Sequence, residues 1–160
     1  MRSIAKSDVE QQFIEMAERV LGPLGFRVVD VDAGLGPVSL VRLFVDWADP
    51  AKRIGLDECA EVSRQLDPFV DTFEAMPGGF TLEVSSPGLD RRLRLASDFQ
   101  MVLGKDVRLK LSRSKEGFGT KPWGTVCEVG EEELVFSQNK QLFRVQWSDI
   151  RQAHLMWKRE

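Results

Sequence analysis

The stretch Thr81-Leu-Glu-Val-Ser-Ser-Pro-Gly-Leu-Asp-Arg-Arg-Leu-Arg94 divides the chain. An extended, partly apolar run enters Ser85-Ser86-Pro87-Gly88, whose residue types make a tight turn with exposed N–H groups. Three arginines, Arg91, Arg92 and Arg94, follow within four residues. The charge changes sign here. Residues 1–90 hold 8 Lys/Arg against 16 Asp/Glu, and residues 91–160 hold 14 against 9. The overall charge of −3 therefore averages two opposite halves, and alone it would wrongly argue against a polyanionic partner. A chain of 160 residues accommodates two small domains, which the sequence places at 1–90 (acidic) and 91–160 (basic).

Upstream of the junction the pattern is α+β. Val9, Phe13, Met16, Ala17 and Val20 recur near the 3.6-residue period, predicting a helix over 7–21. Ser7-x-x-Glu10 matches a capping box, and Gly22-Pro23 provides a stop, with Gly22 as the left-handed cap. Val-rich runs at 26–32 and 40–47, linked through Gly34-Leu35-Gly36-Pro37, predict an antiparallel hairpin. A second helix over 56–67, with Cys59, Ala60, Ser63 and Leu66 inward and Pro68 at its end, precedes a turn at 76–79 and a third strand at 80–84. Three strands cannot cover both of their own faces, so both helices are expected on one side as a two-layer domain.

Downstream, Ser97 is expected to cap a helical turn over 98–103, ended by Gly104. Short apolar runs at 107–111, 123–128, 134–136 and 142–147, separated by Gly- and Asn-containing turns, predict a small antiparallel barrel. On 107–111 the two-residue period puts Arg108 and Lys110 on one face and Val107, Leu109 and Leu111 in the core.

The chemistry expected of this half is phosphate recognition. Ser85, Ser86 and Gly88 offer hydroxyl and main-chain donors beside the arginines. Arg91, Arg92, Arg94, Lys105, Arg108, Lys110, Arg113 and Lys115 supply cations. Phe118 and Trp123 are candidates for base stacking, of which the core is expected to claim at least one. This mixture favours recognition of RNA shape and backbone over sequence. In the acidic half, Asp30 and Asp32 alternate with Val29 and Val31, so both carboxylates are expected on one sheet face, suited to steering a basic protein.

The exclusions are broad. Cys59, Cys127 and His154 show no zinc-ligand spacing, and the two thiols are expected as small core hydrophobes. No phosphate-binding glycine loop, nucleophile elbow or metalloprotease motif is present. No cofactor or metal is expected, and a catalytic triad would have to use His154. Neither a secretory leader nor a membrane-length apolar run occurs, so a cytoplasmic monomer with no membrane partner is the expectation. Two rival readings are an RNA-processing or RNA-modifying enzyme using Asp90 or Glu83, and a general protein-docking adaptor.

The run Leu82-Glu-Val-Ser-Ser-Pro-Gly-Leu-Asp-Arg91 resembles the bacterial ribosome maturation factor RimP family, as do Leu56-Asp-Glu-Cys-Ala-Glu-Val-Ser-Arg64, Asp98-Phe99 before Gly104, Gly124, and Ile150-Arg-Gln-Ala-His-Leu155. The resemblance implies a KH-like N-terminal domain and a C-terminal Sm-like barrel. It also implies a non-enzymatic role in assembling the small (30S) ribosomal subunit. The implied partners are rRNA and a basic ribosomal protein near the decoding centre of the immature particle. Two positions depart from the family pattern: Arg92 stands where Pro is usual, and Gly55 where Thr or Ser usually precedes the second helix.

Overall fold

A computed structural model describes residues 2–34, 39–86 and 91–156. The expected turn residues Leu35, Gly36 and Pro37, and Pro87, Gly88 and Asp90 of the junction, lie outside them. The chain forms two compact units, one of Ser7–Gly88 and one of Met1–Lys6 with Leu89–Glu160. The first unit holds 6 Lys/Arg against 15 Asp/Glu and the second 16 against 10, so the charge division follows the fold.

In the first unit, helix α1 (Asp8–Leu21) starts at the expected capping box. The Glu10 N–H donates to Ser7 Oγ at 3.1 Å, and the Ser7 N–H donates to Glu10 Oε1 at 2.9 Å. The stop differs from expectation. Gly22 is right-handed (φ −53°), a 3-10 turn over Gly22–Leu24 follows, and the left-handed residue is Gly25 (φ 90°). Strands β1 (Phe26–Gly34) and β2 (Leu40–Trp47) pair antiparallel, as the hairpin reading requires. Helix α2 (Leu56–Val70) then crosses over so that β3 (Thr81–Ser85) runs parallel to β2, the connection that a parallel pair demands. The sheet order is β1-β2-β3.

Phe13, Ile14 and Leu21 of α1, and Val62 and Leu66 of α2, share one core with Val28, Val31, Val41, Leu43 and Val45. Both helices therefore cover one sheet face. Phe13, Phe73 and Phe80 meet edge to face at 5.5–5.8 Å. Two details of α2 depart from the pattern reading. Pro68 lies inside the helix, in its last turn, where it forfeits one hydrogen bond without ending it. The buried stripe runs through Val62 and Leu66, with Ala60 exposed and Cys59 and Ser63 at its margin.

The second unit begins with residues 2–5, which the sequence reading assigned to the acidic half. The Ile4 N–H donates to the Arg94 carbonyl at 3.0 Å, Ala5 N–H to Ile150 at 2.8 Å, and Ala96 N–H to Arg2 at 2.9 Å. Ile4 is buried in this unit's core. Helix α3 spans Ala96–Gln100. Its start is held by Asp98 rather than Ser97: Asp98 Oδ2 accepts the N–H groups of Leu95 at 2.9 Å and Arg94 at 3.0 Å.

Five strands follow: β4 (Asp106–Leu111), β5 (Trp123–Val129), β6 (Glu133–Gln138), β7 (Gln141–Gln146) and β8 (Ile150–Leu155). They form an antiparallel sheet in the order β7-β6-β5-β4-β8. The expected barrel is not closed, since no ladder joins β7 to β8 among the described residues. The far edge of β8 is already taken. Leu155 N–H donates to the Arg91 carbonyl and Leu93 N–H to the Ala153 carbonyl, both at 2.9 Å. The core face gathers Phe99, Val107, Leu109, Val126, Leu134, Phe136, Phe143 and Ile150. Gly124 lies in this face because nothing larger fits: a Cβ there would sit 2.9 Å from Phe136 Cβ and 3.1 Å from the Phe143 ring.

A candidate nucleic-acid interface

The alternation on β4 is as the sequence predicts. Val107, Leu109 and Leu111 are buried, while Arg108 and Lys110 lie on the opposite face, half-buried and exposed respectively. The ladders on either side extend that face. Arg108 is directly opposite His154 on β8 and Trp123 on β5, and Lys110 is opposite Gln152. His154 in turn bridges to Arg92. Arg92, His154, Arg108 and Trp123 thus form one row across the sheet, with neighbours about 5 Å apart in the ladder direction. Arg91, exposed, flanks the row, and Lys105, also exposed, precedes β4. A Pro in place of Arg92 could not supply the row's first cation. Asp106 bounds the strip at one end, where its Oδ1 accepts from Thr125 Oγ1 at 2.6 Å.

Such a surface can hold phosphate oxygens with guanidinium and ammonium groups while an aromatic face stands alongside. Of the two aromatic candidates the core claims Phe118, whose ring lies 4.4 Å from that of Phe143, while Trp123 stays half-exposed on the outer face.

Other expected site residues lie elsewhere. Arg94 is 6% exposed, its N–H on Asp98 and its carbonyl on Ile4, so it belongs to the framework of the unit and not to its surface. Arg113 and Lys115 sit in the β4–β5 connection and line a cleft against β7. Arg113 Nε is 3.2 Å from Asp149 Oδ1. Ser85, at the end of β3, and Ser86 are half-buried members of the other unit, and Gly88 lies outside the described residues.

The acidic pair is not a docking pair as drawn. A register shift in β1 between Val28 and Asp30 breaks the simple alternation, and Val28, Val29, Asp30 and Val31 are all buried. Asp30 is 0% exposed, with its Oδ1 accepting the Val31 N–H at 2.9 Å, whereas Asp32 is half-buried opposite Arg42. A fully buried carboxylate cannot meet a partner's cations.

Sequence reasoning missed His154 and Arg151 because Ile150–Leu155 was not recognised as a strand. Arg151 is exposed at a register shift opposite Lys110 and Leu111. The alternation of Ile150 and Ala153 with polar residues is interrupted by that irregularity, which hides the two-residue period.

Glu83 is exposed and engaged at 2.9 Å by Arg42 Nε, and Asp90 lies outside the described residues. Among the described residues no three His, Cys, Asp or Glu side chains converge as metal ligands, and no helix is long and apolar enough to cross a membrane. Both cysteines are free. Cys127 is exposed on a bulge of β5 and Cys59 is half-buried, so neither is the core hydrophobe expected. Burial first, and the neighbouring Glu58 carboxylate second, raise the Cys59 thiol above its ordinary value.

Comparison with known protein families agrees with the quoted resemblance. Residues 16–90, from within α1 through β3 to the junction, match the model of the RimP N-terminal domain. The match covers most of the acidic unit, the part of the chain with the two-helix, three-stranded architecture. Residues 16–90 of the chain thus carry the N-terminal domain of the RimP family of ribosome maturation factors.

Proposed function

We propose that the protein is a cytoplasmic, non-enzymatic assembly factor that binds the immature small (30S) ribosomal subunit. Its basic unit grips the rRNA backbone with Arg91, Arg92, Lys105, Arg108 and Lys110. Its acidic unit docks on a basic ribosomal protein near the decoding centre. The observation that carries this reading is the row of Arg92, His154 and Arg108 across one sheet face, with Lys110 beside it. The match of residues 16–90 to the RimP N-terminal domain supports the ribosomal context. No bond is made or broken. The factor acts by binding an intermediate more tightly than the finished particle, because equal affinity for both would shift nothing.

Five phosphate contacts give a log–log salt slope of roughly −3.5 to −4.5 for binding to small-subunit rRNA. The variant carrying Arg108→Gln and Lys110→Gln is expected to flatten that slope by about 1.4 to 1.8, with its melting curve unchanged. An unaltered slope in this folded variant removes the interface from β4.

A further inference from the structure

The cationic strip does not use the cleft against β7. This cleft, of about 1080 Å³, runs along the whole of β7, with the 113–118 turn as its other wall. We infer that it takes an extended acidic segment of a partner polypeptide, which adds as a sixth strand to the open edge of β7.

The edge is set by the hairpin. Asn139 and Lys140, both at positive φ (50° and 66°), form the two-residue turn between Gln138 and Gln141. In such a hairpin the residues flanking the turn make a hydrogen-bonded pair, and the pattern alternates from there. Gln141, Phe143 and Val145 therefore bond to β6. The N–H and C=O groups of Leu142 and Arg144, and the N–H of Gln146, point away from it and meet no main-chain partner among the described residues, while the Gln146 carbonyl caps the 3-10 turn Trp147–Asp149. The β6–β7 register runs without a bulge, and β7 contains no Pro, so two usual protections of an edge are missing. Leu142 is 62% exposed on this strand, and Phe118 against Phe143 provides an apolar floor.

The lining holds Arg113, Lys115 and Arg144 against Glu116, Glu133 and Asp149, so the exposure of these charges, rather than their sum, selects the occupant. Arg113 pairs with Asp149, and Arg144 with Glu133, the latter at 2.9 Å. In each pair the guanidinium is the more exposed member, at 80% against 22% and 61% against 40%. Lys115 adds a cation to the wall and Glu116 an opposing carboxylate. An incoming strand thus meets guanidinium groups first, which favours carboxylates on that strand. A second copy fits poorly. Two-fold pairing of β7 that uses all three open positions sets Arg144 against its own copy, and like charges directly opposite are destabilising. Head-to-tail pairing would need the far edge of β8, which residues 91–93 occupy.

The test uses the full chain and a fluorescein-labelled peptide of about eight residues that alternates valine and glutamate. Saturable binding by anisotropy is expected. The fully N-methylated peptide, which cannot donate to an edge, and the valine–lysine peptide should each bind at least about tenfold more weakly. Leu142→Pro removes one outward N–H and leaves the β6 ladder intact, so it should weaken the acidic peptide about tenfold while rRNA binding persists. Should that variant melt early, the N-methylated peptide still decides. No binding at millimolar peptide, or equal binding of the N-methylated or lysine peptide, overturns the inference. So does displacement of the peptide by oligouridylate, or a concentration-dependent dimer that the peptide dissolves. Loss of rRNA binding by the Gln variant leaves this result untouched, so the two readings fail separately.

Discussion

Replacing Gly124 with Ala tests whether the five-stranded sheet is packed as described. Gly124 lies on β5 opposite Val107, and its φ is not in the left-handed region, so the backbone accepts an L side chain. The obstacle is space. The new methyl would meet Phe136 Cβ at 2.9 Å and two atoms of the Phe143 ring at 3.1 Å. The Phe136 and Phe143 rings are stacked with centroids 5.3 Å apart, and the Phe118 ring also packs on Phe143 at 4.4 Å, so the Phe143 ring does not retreat freely. Overpacking of this kind costs about 1–3 kcal/mol. Ala recovers roughly 0.5–1 kcal/mol relative to Gly within a strand through its smaller entropic cost. The balance is a loss of up to about 2.5 kcal/mol, centred on about 1 kcal/mol, the central value lowering Tm by about 4–8 °C for a unit of this size. The assay is thermal unfolding followed by near-ultraviolet circular dichroism. Adding Phe143→Leu opens the site, and the double variant should be more stable than the sum of the single losses predicts, by at least about 0.5 kcal/mol. A Gly124→Ala protein more stable than the parent, with no coupling to Phe143→Leu, would refute this packing.

Arg94→Glu should lower thermal stability by about 3 kcal/mol or more, because it puts a carboxylate at a buried site beside Asp98, and melting reports this without any RNA. Asp98→Ala removes the acceptor of two main-chain N–H groups at the start of α3 and should cost about 1–3 kcal/mol by denaturant titration. Ser7→Ala loses the α1 cap, with an expected cost of about 1 kcal/mol and no change in rRNA affinity. At pH 8 iodoacetamide should modify the exposed Cys127 well before Cys59. Because the folded protein raises the Cys59 value, its alkylation should accelerate only at a pH above that needed by the same thiol in urea. Mass spectrometry of the tryptic peptides distinguishes the two sites.

Features set by local chemistry were legible in the sequence. The Ser7–Glu10 box, the alternation on β4 and the helix between β2 and β3 each depend on residues close in the chain, and each stands where the pattern puts it. What the sequence concealed depends on distant partners. Arg94 looks like a member of an arginine cluster, yet residues 2–5 pair with the main chain around it and it is buried. The bulge at Val29 has no mark in a run of valines and aspartates, and it leaves Asp30 inside. Likewise the register shift at Cys127 exposes a residue whose type suggested a core position. The barrel reading missed the pairing of residues 91–93 with β8, which occupies the edge that closure requires. The basic strip was half visible: Arg108 and Lys110 followed from the two-residue period, while His154, Arg151 and the cross-strand row needed the ladder between β4 and β8.

Sedimentation of the tagged protein with ribosomal particles from growing cells tests the central claim most directly, with Arg108→Glu and Lys110→Glu as the paired variant. The account predicts that the parent travels with immature small subunits and not with translating ribosomes, and that the charge-reversed but folded variant stays at the top of the gradient. Equal association of parent and variant, or association of the parent with translating ribosomes alone, would contradict it.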